Sequence, residues 1–554
     1  MKKLETLFFY PCLLLLILLV LLMATVPPVS RDALTHHLAV PKLWIIHGGI
    51  VERPDMAFSY YPMNLDLLYV IPLLFGNDIL PKYIHFLFAL ATAWLIYSYL
   101  RHQINKQLAL LGAVLFLSTP IIVKLSVTVY VDLGLIFFSW VSLYFFLKWY
   151  DRQFRPRYLI FAAISCGLAL GTKYNGLVLL LIMACMVPII YSLKQNQNVP
   201  QQEYTQRYRN SIKGLQWAGV FVLIALIVFS PWMIRNIIWK QNPVYPLYDK
   251  MFNPPEQNTQ SDVKKEKKPP RNVFWTRRYV YKESFWQTLS IPIRAFFQGQ
   301  DNNPKFFDGK LNPCLLFFPL IALIRLKDHR LIAPKFHRAI LAIFATIFIL
   351  FVFFQVDFRV RYMSPAIPAL VVLAVFGIKN MVSWVSIQSG IIRMVGTGGA
   401  LLLIGFTFFY NVDYVYGQFN NIRPFDYILK KVDRDAYITR FWREYPVIQY
   451  ANKILPKDAR ILCLSIGNRT YYIDHSVHLA EDFYDRSNGQ FSESGLLKKL
   501  ARYGTTHIIL DKISASNWIS QLKPEEKKVF ENVIQKYTKL LFEKYNVLLL
   551  EFQA

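Results

Sequence analysis

The feature that most constrains this chain is a series of uninterrupted apolar stretches, each close to the roughly 20 residues that an α-helix needs to cross a bilayer. About eleven such stretches lie between Leu7 and about Tyr410. Of the 554 residues, 54% are hydrophobic and only 18% are charged, whereas about 25% charged residues is usual for soluble domains. The sequence therefore disfavours a soluble enzyme, excludes a disordered chain and predicts a polytopic α-helical membrane protein.

The distribution of basic residues gives the predicted topology. The formal net charge of +27 would ordinarily suggest a nucleic acid partner. Here, however, every second short connection between the apolar stretches is basic, which is typical of cytoplasmic loops and of contact with anionic membrane lipids. We therefore predict no nucleic acid partner. The basic connections contain Arg101 and Lys106; Lys148, Arg152, Arg155 and Arg157; Lys194, Arg207, Arg209 and Lys213; Arg325, Lys327, Arg330, Lys335 and Arg338; and Lys379 and Arg393.

This threading predicts a multi-pass protein of the cell membrane with a cytoplasmic N-terminus. The first apolar stretch follows Lys2 and Lys3 and has no A-x-A cleavage site after it, so we interpret it as a retained helix rather than a signal peptide. Residues 1–410 are then the membrane domain. Its long external loops are at about 27–81 and 235–311. The second loop is rich in Lys and Arg, but long loops are translocated largely regardless of the rule that basic loops stay in the cytoplasm. Residues 411–554 form an extracytoplasmic, periplasmic tail.

The tail has the pattern of a small soluble α/β domain. Apolar runs at 459–466, 507–510 and 547–552 predict buried strands, and helical segments are expected near 445–454 and 524–537. No glycine-rich phosphate loop occurs in it, so the sequence does not support nucleotide binding there.

Ionisable side chains are costly at membrane depth, and those near the ends of the apolar stretches are therefore candidate site residues. A site for an anionic phosphate would use Lys and Arg to neutralise oxygens and a carboxylate to accept a proton. Each residue also has a simpler interpretation: a solvated helix cap for an Asp, a side chain reaching to lipid headgroups for a Lys or Arg, and a hydrogen-bonded interfacial side chain for His36 and His37. The run Lys264, Lys265, Lys267 and Lys268 is best interpreted as a solvated loop face. The predicted topology brings to the external face the carboxylates Asp32, Asp66 and Asp132 and the cations Lys173, Arg235, Arg359 and Arg361.

Five segments resemble the GT-C glycosyltransferases, in particular the bacterial relatives of protein mannosyltransferases and of the lipid A aminoarabinose transferase, a group like glycosyltransferase family 39. The resemblance covers about residues 1–410. The segments that carry it, in this order, are Arg31–Trp44, Ser59–Tyr69, Leu168–Asn175, Pro231–Asn236 with Asn242–Pro246, and Arg361–Pro368.

The resemblance implies transfer of a sugar from a polyprenyl-phosphate carrier to a lipid, glycan or protein acceptor on the external face of the membrane. We expect a single in-line displacement, which inverts the anomeric carbon. Asp32 occupies the position of the catalytic Asp of the first loop, although the acidic neighbour found in many members is Ala33 here. Asp66 and Asp132 are the candidates for an assisting carboxylate, with a divalent cation such as Mg²⁺ or Mn²⁺ as a possible cofactor that they would ligate. The donor phosphate would be bound by Lys173, Arg235, Arg359 and Arg361, and the acceptor side or its support would include His36, His37, Tyr61, Tyr174 and Tyr362.

Two other functions fit many spans with charged residues among them. One is a transporter or flippase of a lipid-linked glycan, although such proteins tend to place their site near the midplane between repeated halves, and this sequence has no internal repeat. The other is a glycan polymerase or ligase that uses polyprenyl-diphosphate donors.

The predicted topology can be tested by cysteine labelling. A cysteine placed near Asp32 or after Asn411 should react with a membrane-impermeant reagent from outside the cell, and one at Arg155 should react only after the membrane is opened. A residue near Asp32 that is accessible only from the cytoplasm would contradict the topology and the proposed site.

Overall fold

The structure is a computed structural model that describes residues 2–254, 272–324, 335–479, 483 and 491–553. The predicted loop run Lys264, Lys265, Lys267 and Lys268 lies outside the described residues, as do the predicted cytoplasmic residues Arg325, Lys327 and Arg330.

Up to Ile422 the described residues are predominantly helical, as the apolar stretches predict. Short π- or 3₁₀-helical turns cover Ala33–His37, Ala57–Tyr60, Thr276–Val280, Pro304–Phe306 and Val360–Ala366. The α-helices are α1 (Lys2–Ala24), α2 (Ala39–Ile46), α3 (Asn64–Leu74), α4 (Leu80–Gln103), α5 (Lys106–Ser118), α6 (Pro120–Ser126), α7 (Asp132–Asp151), α8 (Pro156–Thr172), α9 (Gly176–Gln195), α10 (Tyr204–Lys240), α11 (Asp249–Phe252), α12 (Val273–Trp275), α13 (Phe285–Leu289), α14 (Ile291–Gln298), α15 (Cys314–Leu323), α16 (Lys335–Phe353), α17 (Ile367–Ser386) and α18 (Gly390–Ile422).

Among the described residues, seven helical segments are long and apolar enough to cross a membrane, and the bent pair α5 and α6 would make an eighth. The prediction of about eleven spans therefore stays a prediction. The seven segments are Leu80–Gln103, Asp132–Asp151, Gly176–Gln195, Tyr204–Lys240, Phe336–Phe353, Val360–Ser386 and Gly390–Ile428, and the shorter apolar helices are Phe9–Ala24, Asn64–Leu74, Pro156–Thr172 and Cys314–Leu323.

Helices α5 and α6 meet at an angle of 64°, and the local sequence explains the break. Pro120 has no backbone N–H to continue the helix, and its ring disfavours helical backbone at the residue before it. Thr119 accordingly has an extended ψ of 128°. At the other end, Asn105 caps α5, because its side-chain oxygen accepts a hydrogen bond of 2.9 Å from the Leu108 amide.

Close helix packing depends on small residues at particular crossings. Gly377 in α17 faces the Phe318 carbonyl of α15 so closely that a Cβ would overlap it, and Gly167 in α8 faces the Ala225 carbonyl of α10 in a similar way. Small residues at such crossings let the helix backbones approach each other and so increase van der Waals contact. This contact matters in a membrane, because lipid tails are as apolar as the side chains and the hydrophobic effect does not drive helices together.

The tail contains the predicted α/β layer. The order β2-β1-β3-β5-β4 is parallel across β2, β1 and β3 and antiparallel from β3 to β5 and from β5 to β4. Helix α18 continues through residue 410, so the expected domain boundary falls within a helix. The tail elements are α19 (Pro424–Ile428), α20 (Arg434–Phe441), α21 (Tyr445–Ile454), β1 (Arg460–Leu464), β2 (Ser476–Leu479), α22 (Glu493–Arg502), β3 (His507–Asp511), α23 (Lys512–Ile519), α24 (Pro524–Tyr537), β4 (Thr538–Lys544) and β5 (Val547–Phe552).

The three predicted strands are confirmed as β1, β3 and β5, and both predicted helices are confirmed as α21 and α24. These strands lie at the centre of the sheet or beside it, and their residues are largely buried. The sequence reading missed β2 and β4. Both are edge strands with exposed positions, so neither has a continuous apolar run.

The tail is fixed to the first long loop of the helical part, residues 27–81. The amides of Thr470 and Tyr471 both donate to the Leu34 carbonyl at 3.1 Å. Lys42 Nζ donates to the carbonyls of Tyr471 and Ile473 at 2.9 Å. Because Leu34 follows Asp32 by two positions, the tail holds the backbone of a candidate site residue in place.

We predict that Gly377→Ala lowers the unfolding temperature of the detergent-solubilised protein, because the new methyl group overlaps the Phe318 carbonyl and overpacking costs about 1–3 kcal/mol. Gly398→Ala in α18 is the matched control, since a Cβ there meets no atom within 4 Å. It should leave the unfolding temperature unchanged or raise it slightly through helix propensity. Equal unfolding temperatures for the two variants would contradict the close α15–α17 crossing.

Candidate functional site

A cavity of about 620 Å³ lies at the end of the helix bundle against which the tail packs. Segments that are far apart in sequence line it: the first loop, the α8–α9 connection, the turn before α17 and the loop after β1. The predicted site residues that line this cavity are Asp32, His36, His37, Tyr61, Asp66, Lys173, Tyr174, Arg359, Arg361 and Tyr362.

Asp32 and Arg361 form an ion pair across this cavity. Arg361 Nη1 lies 2.5 Å from Asp32 Oδ2, and the two side chains are 12% and 23% exposed, so both are shielded but reachable from the cavity. Burial by itself would raise the pKa of Asp32, but the charge and hydrogen bond of Arg361, together with the neighbouring His36 and His37, outweigh burial and hold that pKa well below its ordinary value. Asp32 is therefore ionised at neutral pH.

The position of Asp32 follows from local backbone structure. It directly precedes the π-helical turn Ala33–His37, in which the Leu38 amide donates to the Ala33 carbonyl at 2.9 Å. Such turns re-aim side chains and are frequent at functional sites. Here the turn places His36 and Asp32 on the wall of the same cavity.

Lys173 connects the cavity to a second carboxylate. Lys173 Nζ donates to Asp132 Oδ1 at 2.7 Å, and Asp132, at the start of α7, is buried beneath it. The Tyr362 ring lies within about 6 Å of three cationic groups, with its centroid 5.4 Å from Lys173, 5.3 Å from Arg361 and 6.0 Å from Arg359. A ring in this position holds the cations side by side while their charges remain close to the cavity.

The two histidines of the first loop have different surroundings. His37 Nδ1 donates to Asp66 Oδ1 at 2.7 Å, and both groups are buried. His36 stacks on Phe58 with 4.7 Å between ring centroids. Burial, together with the neighbouring His37, holds the pKa of His36 well below its ordinary value, so His36 is a neutral group on the cavity wall.

Arg235 is the predicted phosphate-binding residue that the structure does not bring to the cavity. Its guanidinium donates to the carbonyls of Tyr60 and Tyr61 and packs over the ring of Trp232, 4.6 Å from the centroid. The carbonyls of the first loop need donors because the loop is partly buried. In the structure Arg235 thus lies outside the lining of the cavity and holds the loop that carries Tyr61, and its role in phosphate binding stays a prediction.

Arg359 does line the cavity, but carboxylates from its own segment and from a distant loop already neutralise it. Its Nε donates to Asp357 at 2.7 Å, and its Nη1 lies 3.4 Å from Asp308. It is a less available cation than Arg361, whose Nε has no hydrogen-bond partner among the described residues.

Asp66 and Asp132, the predicted metal ligands, each accept a hydrogen bond from a side chain of the protein, His37 and Lys173 respectively. Across the part of the chain that the structure describes, no group of three or more His, Cys, Asp or Glu side chains is arranged to hold a metal ion. The donor set at these two carboxylates thus does not fit a resident divalent cation in this conformation.

Among the residues of the cavity region that the sequence reading missed, four lie next to the charged groups or join the cavity to the tail. Arg31 and the pair Gly467 and Asn468 line the cavity, and Tyr130 places its ring 5.3 Å from the Arg361 guanidinium. Gly467 and Asn468 follow strand β1 after Ser465 and Ile466, and a Gly-Asn pair soon after a buried strand marks a tight turn. That signal could have indicated a loop at the carboxyl end of the strand, although not the cavity that it would reach.

Residues 62–235 match the model of the family described as dolichyl-phosphate-mannose-protein mannosyltransferase. The matched range includes Asp66, Asp132 and Lys173 but neither Asp32 nor Arg361. No curated protein sequence matches the chain.

Solved structures match nearly the whole chain. ArnT from Cupriavidus metallidurans in the apo state is 13% identical, with a TM-score of 0.58 over 98% of this chain and 97% of that one. The same protein bound to undecaprenyl phosphate has a TM-score of 0.54 at the same identity and coverage. The Archaeoglobus fulgidus oligosaccharyltransferase tethered with an acceptor peptide is 12% identical, with a TM-score of 0.51 over 96% of this chain and 72% of that one. The likeness at these identities is one of fold, and it confirms the resemblance predicted from the sequence motifs.

Proposed function

We propose that this protein, which has the fold of the GT-C glycosyltransferases, is an inverting transferase. It moves a sugar from a polyprenyl-phosphate carrier to an acceptor hydroxyl on the external face of the membrane. The observation that carries this proposal is the single cavity in which the Asp32 carboxylate and the cations Lys173 and Arg361 meet. The match of residues 62–235 to a polyprenyl-phosphate-dependent family supports it.

Asp32 acts as the base. Its carboxylate accepts the proton of the acceptor hydroxyl while the acceptor oxygen forms a bond to the anomeric carbon. The bond from the anomeric carbon to the phosphate oxygen breaks, and its electron pair stays on the departing polyprenyl phosphate. Because phosphate is already a good leaving group, one base suffices and no general acid is needed, in contrast to glycoside hydrolysis.

The ion pair between Asp32 and Arg361 sets the order of events. While Arg361 holds it, Asp32 is ionised but is a weak base, since its pKa lies far below its ordinary value. The phosphate of a bound donor offers Arg361 a second anionic partner with two oxygens that match the guanidinium fork. Sharing Arg361 with the phosphate raises the pKa of Asp32, so the base becomes effective when the donor is in place.

Lys173 and Tyr362 complete the phosphate side of the cavity. Lys173 supplies a second positive charge that stabilises the phosphate as its charge grows during departure. Asp132 is a positioning residue for Lys173, because its buried carboxylate fixes the ammonium at 2.7 Å. Asp66 orients His37 in a corresponding way, and Tyr61, Tyr174 and His36 line the remaining wall, where the sugar and acceptor would lie.

We predict that Asp32→Asn lowers transfer by about two to four orders of magnitude while membrane insertion and carrier binding persist. The amide keeps the shape of the side chain but cannot accept the proton. The assay uses the purified protein, radiolabelled polyprenyl-phosphate sugars and candidate acceptors. Asp55→Asn is the matched control, since Asp55 lies in the same loop and is paired with Arg53 at 2.7 Å but does not line the cavity. Near-normal turnover in Asp32→Asn would shift the role of base to Asp66 or Asp132.

Binding of undecaprenyl phosphate without sugar tests the phosphate site separately. Lys173→Ala and Arg361→Ala should each weaken binding by about tenfold to 100-fold, because a charge-assisted hydrogen bond contributes about 1.5–3 kcal/mol. Arg361→Lys should remain impaired, since an ammonium cannot reproduce the bidentate fork. Lys240→Ala is the control, because Lys240 pairs with Glu52 at 3.0 Å away from the cavity. Unchanged affinity in both Ala variants would remove these cations from the site.

A further inference from the structure

A second cavity, of about 560 Å³, lies at the carboxyl edge of the tail sheet. The residues that line it come mainly from the loop after β1, with contributions from Glu444 before α21 and from Ser514 after β3. They are Arg31, Glu444, Cys463, Ser465, Ile466, Gly467, Asn468, Arg469, Ser514 and Trp518. The mechanism proposed above makes no use of this cavity.

This cavity lies outside the carboxyl ends of the parallel strands, which is the place where α/β domains commonly bind ligands. Strand β1 has β2 on one side and β3 on the other, and all three run parallel. The connection from β1 leads to β2 on one side of the pair β1 and β3, and the connection from β3 leads to β4 on the other side, which opens a crevice outside the carboxyl ends of β1 and β3. The loop after β1 bends sharply there, with left-handed φ values of 61° at Ser465, 71° at Gly467 and 59° at Asn468.

The crevice is continuous with the cavity that contains Asp32. Arg31, Gly467 and Asn468 line both spaces, and Arg31 is the immediate neighbour of Asp32. The junction is held by the hydrogen bonds of the Thr470 and Tyr471 amides to the Leu34 carbonyl, both 3.1 Å. A molecule seated in the crevice could therefore extend a hydroxyl group to Asp32 without a rearrangement of the tail.

The side chains of the crevice favour an anionic saccharide. Arg469 forms no ion pair with another described residue, and its buried Nε has no hydrogen-bond partner among the described residues. Its guanidinium carbon lies over the Trp442 ring, 5.8 Å from the ring centroid. Arg31 is exposed and has no ion-pair partner within the described ranges. Burial raises the pKa of Glu444, the acidic residue of the lining, which weakens its competition for these cations. Trp518 supplies an apolar edge, and Asn468 and Ser514 supply hydrogen-bonding groups.

We propose that the crevice between the tail sheet and the first loop is the acceptor subsite, and that it binds a sugar carrying a phosphate or carboxylate group. This inference rests on the proposed transferase function for its role, but binding in the crevice can be measured without catalysis. The anionic group of the acceptor lies against Arg469 and Arg31, and the sugar hydroxyl groups face Asn468 and the cavity.

The test is an equilibrium titration of the full-length protein with two matched probe pairs. One pair is trehalose 6-phosphate and trehalose, which tests for a phosphate group. The other pair is trigalacturonate and its methyl ester, which tests for a carboxylate group. At least one anionic probe should bind about tenfold more tightly than its neutral partner, because it gains a charge-assisted hydrogen bond. Undecaprenyl phosphate should not displace the probe, since the carrier phosphate occupies the other cavity.

Arg469→Gln should abolish the preference for the anionic probe while the affinity for undecaprenyl phosphate stays the same. Asn468→Gly keeps the left-handed backbone and removes the side-chain amide, so it should weaken both members of a pair equally. Arg502→Gln is the control, because Arg502 is an exposed tail residue outside the crevice. Unchanged unfolding temperatures establish that each variant is folded.

The outcomes separate the two proposals. Equal binding of charged and neutral probes, no binding of either anionic probe, an unchanged preference in Arg469→Gln, or displacement by undecaprenyl phosphate would each overturn the acceptor subsite. If the wild-type protein prefers the anionic probe through Arg469 but never binds undecaprenyl phosphate, the crevice is a saccharide site and the proposed transferase function fails. If it binds the carrier but neither anionic probe, the function stands and the acceptor subsite fails.

Discussion

Charge compensation at the end of an apolar helix bundle is the constraint on which this site depends. An ionised carboxylate that is withdrawn from water is stable only with a positive or hydrogen-bonding partner, and the structure provides one for each of three carboxylates. Asp32 pairs with Arg361 at 2.5 Å, Asp132 with Lys173 at 2.7 Å, and Asp66 with His37 at 2.7 Å. The partners of Asp32 and Asp132 come from elements distant in sequence, so each pair also fixes the relative position of two parts of the fold.

The same pairs explain why the cavity can exchange one anion for another. Arg361 and Lys173 are each compensated inside the protein before any ligand binds, which avoids the cost of an isolated buried charge. A phosphate group that enters between these two cations carries the same negative sign as their carboxylate partners. It replaces a carboxylate or shares the cation with it, and so the net change in charge pairing is small. The Tyr362 ring, in contact with both cations, keeps them at the cavity while their partners change.

The tail contributes to the site through backbone contacts. Its strand-end loop contacts the first loop at Leu34, two residues after Asp32, and the ammonium of Lys42 donates to the carbonyls of Tyr471 and Ile473. The α/β layer thereby positions the part of the first loop that carries Asp32. This arrangement places the carboxyl edge of the tail sheet next to the candidate base, and the proposed acceptor subsite follows from that adjacency.

The sequence by itself determined the helical membrane class, the α/β tail and most of the ionisable residues that line the cavity, because apolar runs have characteristic lengths and because ionisable residues stand out against an apolar background. It also located β1, β3 and β5, whose side chains are buried, but not the edge strands β2 and β4, whose patterns are mixed. Only the tertiary structure decided which charges meet. Arg235 and Arg361 look alike in sequence, each at the end of an apolar stretch, yet the first donates to the carbonyls of Tyr60 and Tyr61 and the second pairs with Asp32. The direction of a long side chain is set by the partners that the folded chain brings near it, and sequence spacing does not contain that information.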